Sequence, residues 1–274
     1  MYSIGWFTTA KGQGSRNLLS AVQDRIARGE IDAKIEFVFL SREPGESPET
    51  DKFIDLANSY GIPLVCFSYK KYREFRGAQK GTKVDDLPDW RLDYDREVIK
   101  RLSAFPHPEL SVMAGYMLVV GPELCGQYNI INLHPAAPGG PAGTWQEVIW
   151  KLIDQRAEAS GVMMHLVTPE LDKGPVVSYC RYPVRGPAFD ALWGKIDGKT
   201  SIEIKSEDGE ANPLFREIRR HGASRELPLI GNTVKAFSSG RVSIKNGVIV
   251  DCSGKAIGGY DLTTEIDAEV QNIL

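Results

Sequence analysis

Two polar side chains stand close together at the end of an apolar run, where Asn132 and His134 come just before Pro135. On a β-strand, residues two positions apart project from the same face, and a proline then ends the strand. Open α/β sheets bind their ligands at the carboxyl ends of the strands. A turn further along the chain, Leu-Asp-Lys-Gly-Pro, adds the carboxylate of Asp172. The sequence therefore predicts a catalytic rim made of an amide, an imidazole and a carboxylate.

Each of these residues also has a purely structural interpretation. Asn132 could cap a neighbouring loop, and His134 could be a buried histidine with satisfied hydrogen bonds. Asp172 could simply form its turn, because aspartate is favoured in such loops. The functional interpretation depends on the fold bringing the Asp172 carboxylate beside the His134 imidazole.

A glycine-containing turn lies between the first predicted strand and the first predicted helix. Gly12 and Gly14 would let the backbone approach a ligand closely, and the start of a helix offers free N–H groups to an anion. Ser15 could cap the helix, Asn17 could add donors, and Arg16 could add a positive charge or displace Asn17. We expect either a phosphate site or an ordinary capped turn, since the run matches no complete nucleotide-binding motif.

Composition narrows the class of protein. The chain has 274 residues, 42% hydrophobic and 25% charged, with a net charge of -3 and a pI near 5.9. This charge argues against a general nucleic-acid surface, and the apolar run 112–120 is too short to span a bilayer. The chain shows no signal peptide pattern, and its four scattered cysteines are typical of a reduced compartment without a metal site. We therefore expect a cytoplasmic protein.

Strand and helix patterns alternate along most of the chain, which predicts an α/β fold with parallel strands. The predicted strands are 4–7, 35–40, 63–67, 110–114, 130–134, 162–167 and 176–183. The predicted helices are 15–28, 52–60, 89–104, 144–154 and 226–239. Asn246-Gly247 within 241–251 predicts a C-terminal hairpin. We expect a single domain over 1–274, with surface insertions at 70–87 and 195–213.

Four motifs together resemble a known family. They are Gly14-Ser15, Ala114-Gly115-Tyr116-Met117, Asn132-Leu133-His134-Pro135 and Leu171-Asp172-Lys173-Gly174-Pro175. Their order and separations resemble those of the 10-formyltetrahydrofolate-dependent formyltransferases, above all the phosphoribosylglycinamide formyltransferases. The resemblance covers roughly residues 1–184. It implies a Rossmann-like, mostly parallel twisted sheet with helices on both faces.

The resemblance also implies a reaction, acyl transfer from a folate to an amine. The tetrahedral intermediate carries an oxyanion that requires donors already in place. Asn132 and a protonated His134 would be those donors. Asp172 would stabilise the cationic form of His134 and help to move a proton from the attacking amine to the leaving nitrogen.

A folate pocket is implied as well, for 10-formyltetrahydrofolate as a co-substrate and without a metal. Met117, Leu118 and Val120 would pack on the pterin, and the backbone from Val167 to Leu171 would contact its polar edge. Plain core packing is the alternative for Met117 and Val120. Leu118 stands where the relatives have arginine, so only its backbone is expected to take over that contact.

Several functions stay open at this point. The acceptor is expected to be glycinamide ribonucleotide, with small-molecule substrates and a monomer or homodimer. Another amine, such as an amino sugar nucleotide, is an alternative. An aminoacyl-tRNA is disfavoured by the acidic pI, and a formyl-folate hydrolase usually carries a further N-terminal domain. A catalytically silent nucleotide-binding module is the alternative from another class.

Overall fold

The computed structural model describes residues 1–78 and 87–271 of the chain. Its strands are β1 (Tyr2–Thr8), β2 (Ala33–Leu40), β3 (Leu64–Cys66), β4 (Leu110–Met113), β5 (Ile130–His134), β6 (Ala159–Leu166), β7 (Val176–Pro183), β8 (Val242–Lys245), β9 (Val248–Asp251) and β10 (Tyr260–Asp261). Its α-helices are α1 (Gln13–Ala27), α2 (Pro48–Ser59), α3 (Tyr69–Phe75), α4 (Asp89–Leu102), α5 (Pro122–Gln127), α6 (Trp145–Asp154), α7 (Asp190–Lys195), α8 (Ser201–Glu207), α9 (Pro213–Ser238) and α10 (Thr263–Val270).

One sheet organises the fold and confirms the predicted α/β class. Its strand order is β10-β7-β6-β5-β4-β1-β2-β3. Neighbouring strands are parallel except around β6, which runs antiparallel to both β5 and β7. The alternating pattern had predicted parallel pairing only, because periodicity marks a strand without giving its direction. The reversal of β6 is decisive for the site described below.

Helices cover both faces of the sheet, as expected. Along β1, Ile4 and Trp6 belong to one buried cluster and Phe7 to another, because successive side chains point to opposite faces. The first cluster packs against α1, α2, α9 and α10, and the second against α4 and α5. A third cluster joins α6, α7 and α8 to the first half of α9. No helix in the described ranges has the length and apolarity needed to cross a membrane.

The late helix is longer than the sequence analysis predicted. It was expected to begin at residue 226, but α9 begins at Pro213 and includes Pro228 in its interior. The side chain of Asn212 caps its start by accepting hydrogen bonds from the N–H groups of Leu214 and Phe215. An Asn-Pro pair is a readable start signal. The sequence analysis missed this start because proline normally interrupts a helix, so the residues before Pro228 were not joined to the helix after it.

The two segments predicted as surface insertions contain short helices. The helix α3 lies in the first segment, and residues 79–86 of that segment lie outside the described residues. The second segment contains α8, which begins with a capping box between Thr200 and Glu203. Helices this short carry too few residues to show a period, so capping is their only sequence signal. The predicted hairpin is confirmed as β8 and β9, with Asn246 and Gly247 at positive φ in its turn.

A buried ion pair fixes the loop that follows β4. Arg91 and Asp95 on α4 are 3% and 1% exposed at their side chains, and their charged atoms are 2.7 Å apart. Arg91 also donates to the carbonyl of Val119, while Asp95 accepts from the N–H of Gly121. Burial raises the pKa of the Asp95 carboxyl above its ordinary value, although Arg91 opposes the shift. The pair thus holds the backbone between Ala114 and Gly121 against α4.

Removing one partner of this pair should be far more costly than replacing both. We expect Asp95→Ala to lower the free energy of unfolding by about 3–5 kcal/mol, since it leaves a buried guanidinium without a counter-ion. The double variant Arg91→Met/Asp95→Leu, which buries no charge, should recover most of that loss. Urea denaturation of the three proteins measures this. A loss below about 1 kcal/mol for Asp95→Ala would show that the pair does not hold the loop.

Candidate active site

The strand β5 carries two of the predicted catalytic residues, at its carboxyl end. Asn132 is partly exposed, while His134 is 4% exposed. The two side chains lie on one face of the sheet, as their spacing predicted. Because β6 runs antiparallel to β5, Asn132 is directly paired with His165, and His134 with Met163. A second histidine therefore joins the predicted pair.

The Asp172 carboxylate reaches both imidazoles. One oxygen lies 4.0 Å from Nδ1 of His134, and the other lies 3.6 Å from Nε2 of His165. Asp172 has a positive φ of 55°, a conformation that aspartate adopts more readily than most residues. Gly174 permits the turn to lie against β6, since a Cβ there would be 1.7 Å from the carbonyl oxygen of Leu166. The expected neighbourhood of Asp172 and His134 is thus present.

The two ring nitrogens of His134 have different surroundings. Its Nε2 lies 3.2 Å from the carbonyl oxygen of Pro141, which can only accept a hydrogen bond. Its Nδ1 lies on the side of Asp172, whose nearest carboxylate oxygen is 4.0 Å away, beyond the range of a hydrogen bond. The Nδ1 side of the ring is therefore the side that could face a bound substrate.

His165 differs from His134, and the sequence analysis did not include it in the site. Its Nδ1 lies 3.2 Å from the carbonyl oxygen of Leu166, and its Nε2 lies 3.3 Å from the amide nitrogen of Asn132. Burial lowers the pKa of the His165 imidazole below its ordinary value, with Asp172 acting in the opposite direction. A neutral ring that donates from Nδ1 and accepts at Nε2 satisfies both contacts. No sequence signal marked this residue, because its place depends on the direction of β6.

A cleft opens beside these side chains. It is lined by Met113, Tyr116, Leu118, Val119, Val120, Asn132, His165, Val167, Thr168, Leu171 and Asp172. Four of the five residues predicted to contact a folate are among them: Leu118, Val120, Val167 and Leu171. Met117 is not, and its side chain is 61% exposed. The cleft therefore combines an apolar wall with the polar groups of the rim.

The glycine-containing turn differs in detail from the expectation. The helix α1 begins at Gln13 with Gly12 as its N-cap residue, so Ser15 is not the cap but a buried residue of the first turn. Arg16 binds Glu49 through an ion pair of 2.7 Å, which neutralises the positive charge that it was expected to contribute. Asn17 accepts a hydrogen bond from the side chain of Gln13.

The turn and the cleft share a wall. The N–H of Thr9 donates to the carbonyl of Gly115, and the Thr9 hydroxyl accepts from the N–H of Met117. The Ser15 hydroxyl lies so close to Gly115 that a Cβ on that glycine would be 2.8 Å from it. These contacts join the loop after β1 to the loop after β4, and so place the two predicted subsites side by side.

No group of three or more His, Cys, Asp or Glu side chains within residues 1–78 and 87–271 is arranged to hold a metal ion. The cysteines Cys66, Cys125, Cys180 and Cys252 are all free thiols.

Comparison with known proteins shows which family the chain resembles. The model of the formyl transferase family matches residues 12–186 of the chain. The phosphoribosylglycinamide formyltransferase of Dictyostelium discoideum is 26% identical over 180 residues, which cover 62% of this chain and 80% of the relative. The enzyme of the same name from Escherichia coli strain K12 is 32% identical over 134 residues, which cover 48% of this chain and 61% of the relative.

A solved structure extends the similarity of the fold over nearly the whole chain. The phosphoribosylglycinamide formyltransferase of Coxiella burnetii superposes with a TM-score of 0.65, covering 95% of this chain and 98% of that protein. The two sequences are 18% identical. This likeness therefore concerns the arrangement of strands and helices.

The close approach of Gly174 to β6 can be tested directly. We expect Gly174→Ala to lower the free energy of unfolding by about 1–3 kcal/mol, because the added methyl group overlaps the Leu166 carbonyl. It should also increase the separation of the Asp172 carboxylate from the His165 ring in a crystal structure of the variant. Gly194→Ala is the matched control, since a Cβ at Gly194 meets nothing within 4 Å. An unchanged Asp172–His165 distance in Gly174→Ala would contradict this account.

Proposed function

Because the chain belongs to the formyl transferase family, we propose that it transfers a formyl group from 10-formyltetrahydrofolate to the amine of a phosphorylated acceptor. The proposed acceptor is glycinamide ribonucleotide, the substrate in the names of the two relatives. The observation that carries the proposal is that Asn132 and Asp172 line one cleft, with His134 behind them, its Nδ1 4.0 Å from the Asp172 carboxylate.

The chemistry follows from the positions of these three groups. The acceptor amine attacks the formyl carbon, and the carbonyl oxygen becomes an oxyanion as the new C–N bond forms. The Asn132 amide and the Nδ1–H of a protonated His134 donate hydrogen bonds to that oxyanion, which is stabilised most by donors already in place. The bond from the formyl carbon to N10 of the folate then breaks. A proton passes from the attacking amine to N10, with Asp172 as the group that assists its transfer.

The cleft supports the assignment of the folate as the formyl donor. Its apolar wall, with Leu118, Val120 and Leu171, suits the flat faces of a pterin. Backbone groups between Val167 and Leu171 would contact its polar edge. Most small-molecule sites combine an apolar lining with a few convergent polar groups in this way. Met117, with its exposed side chain, would contribute through its backbone.

The glycine-containing turn supports the assignment of a phosphorylated acceptor. Gly12, Gly14 and Asn17 lie at the start of α1, where unpaired N–H groups attract an anion. Two strand spacings, or about 10 Å, separate β1 from β5 across β4. An acceptor with its phosphate at this turn and its amine at Asn132 would span that distance. Arg16 would act by bracing α1 against Glu49, and Ser15 by packing on Gly115.

The proposed setting matches this chemistry. Free thiols at all four cysteines are consistent with a reducing cytosol. We propose small molecules as the only substrates, since the net charge of -3 does not favour a polyanionic partner. The reaction would then belong to purine biosynthesis.

Replacement of the carboxylate tests the catalytic assignment. We expect Asp172→Asn to lower kcat by about 10²–10⁴-fold, the usual contribution of a positioned acid–base group, with little change in tetrahydrofolate binding. His134→Ala should behave in the same way, because it removes an oxyanion donor. Glu158→Gln is the control, because Glu158 is an exposed carboxylate paired with Arg185 and lies outside the cleft lining.

The activity of each variant is measured as consumption of 10-formyltetrahydrofolate. The acceptors compared are glycinamide ribonucleotide, an amino sugar nucleotide and water alone. Preference for glycinamide ribonucleotide supports the proposed acceptor. Normal turnover by Asp172→Asn would eliminate the assigned role. Consumption without any amine would instead identify a hydrolase.

A charge at the glycine-containing turn tests the phosphate site. Gly14 is exposed, and a Cβ on it meets nothing within 4 Å. We expect Gly14→Asp to raise KM for glycinamide ribonucleotide at least about tenfold, equivalent to about 1.4 kcal/mol, by repulsion of the phosphate. Helix stability should not suffer, since an acid in the first turn interacts favourably with the helix dipole. Gly14→Asn is the neutral control, and equal KM values for the two variants would place the phosphate elsewhere.

A further inference from the structure

We propose that His165 is a positioning residue that fixes the side-chain amide of Asn132, so that one N–H of the amide is held by His165 and the other is offered to the reacting carbonyl oxygen. This inference rests on the proposed formyl transfer. His165 has no part in the chemical steps proposed for Asn132, His134 and Asp172.

The first step is the tautomer of His165. The carbonyl oxygen of Leu166 lies 3.2 Å from Nδ1, and a carbonyl can only accept a hydrogen bond. The proton of the neutral ring is therefore on Nδ1. The other nitrogen, Nε2, is left with a lone pair that points towards Asn132. Burial lowers the pKa of the His165 imidazole, which also favours this neutral form.

The second step is the orientation of the amide. The oxygen and the nitrogen of an asparagine side chain can exchange places by rotation, and the hydrogen-bond partners decide between them. Nε2 of His165 lies 3.3 Å from the Asn132 amide nitrogen. With the amide turned over, the oxygen of Asn132 would face the lone pair of Nε2, and two acceptors would repel each other. The histidine thus selects one orientation of the amide.

The third step is rigidity. Asn132 and His165 are directly opposite each other in the antiparallel pair of β5 and β6, so their separation is set by the ladder of backbone hydrogen bonds. The register of β6 against β7 shifts between Met164 and His165, a type of irregularity that re-aims a side chain. His165 is 2% exposed. A donor held in this way loses little by reorganisation when the oxyanion forms.

The Asp172 carboxylate does not compete for this task. Its oxygen lies 3.6 Å from Nε2 of His165, beyond the range of a hydrogen bond. A protonated His165 would instead direct an N–H at Asp172 and would have no lone pair left for Asn132. The proposal therefore requires a neutral His165 in the working enzyme.

A double-mutant cycle tests whether His165 acts through Asn132. We expect His165→Phe to lower kcat and to leave KM for the folate unchanged. The loss should not exceed about 10²–10³-fold, which is the effect of removing one oxyanion donor. The double variant Asn132→Ala/His165→Phe should be no slower than Asn132→Ala alone, since the amide is already absent. Additive losses in the double variant would overturn the proposal.

Rescue and control variants separate positioning from simple packing. His165→Gln should recover part of kcat, because its amide oxygen can accept from Asn132 in place of Nε2. His107→Phe is the matched control, since His107 is exposed and stacks on Tyr128 away from the cleft. Equal kcat values for His165→Gln and His165→Phe would contradict the proposed hydrogen bond.

A measurement without turnover keeps this inference separate from the proposed function. Long-range ¹⁵N–¹H correlation spectra of the free protein at neutral pH should show His165 as the Nδ1–H tautomer. In the wild type the two amide protons of the Asn132 side chain should exchange with solvent at different rates. In His165→Phe the two rates should become equal. An Nε2–H or doubly protonated His165 would overturn the inference, whereas absent formyl transfer with an Nδ1–H ring would overturn only the proposed function.

Discussion

The antiparallel course of β6 in an otherwise parallel neighbourhood is the constraint on which the candidate site depends. It sets His165 directly opposite Asn132 and leads the chain into the turn that carries Asp172. A parallel strand at this place would follow a different register and would reach β7 by a long crossover connection. The short turn would then be lost. Gly174 completes the arrangement, because a side chain there would collide with the carbonyl of Leu166.

The two histidines of the site show how surroundings give one residue type two different tasks. His134 has the Pro141 carbonyl at Nε2 and the Asp172 carboxylate 4.0 Å from Nδ1. His165 has an acceptor at one nitrogen and the amide donor of Asn132 at the other. The first ring has a carboxylate on the side of its second nitrogen, whereas the partners of the second ring fit one neutral tautomer. Two titratable groups whose surroundings differ in this way can serve one reaction without exchanging roles.

Buried polar contacts position the loops around the cleft. Arg91 and Asp95 hold the backbone of Val119 and Gly121 from α4, and Thr9 holds Gly115 and Met117 from the end of β1. The loop after β4 is therefore fixed from two directions. Since Thr9 also precedes the glycine-containing turn, the wall of the proposed folate cleft and the proposed phosphate site are built on one hydrogen-bonded unit. Their relative position is part of the fold itself.

Much of this protein was determined by its sequence alone. Periodicity and turn residues predicted the α/β class, the strands β1 to β7 and the C-terminal hairpin, because apolar spacing reports directly on which faces are buried. The spacing of Asn132 and His134 predicted a shared face for the same reason. Periodicity does not report the direction of a strand. The sequence pattern therefore predicted neither the reversal of β6 nor the position of His165.

Only the tertiary structure decided which partners meet. It paired Arg16 with Glu49, made Ser15 a buried residue rather than a cap, and left Met117 exposed and outside the cleft lining. It extended α9 through Pro228, where packing and the cap at Asn212 outweigh the local cost of a proline. It also brought Asp172 to both imidazoles. Contacts between residues far apart in the chain depend on strand order, direction and register, and these are set by the burial of the whole sheet rather than by any local pattern.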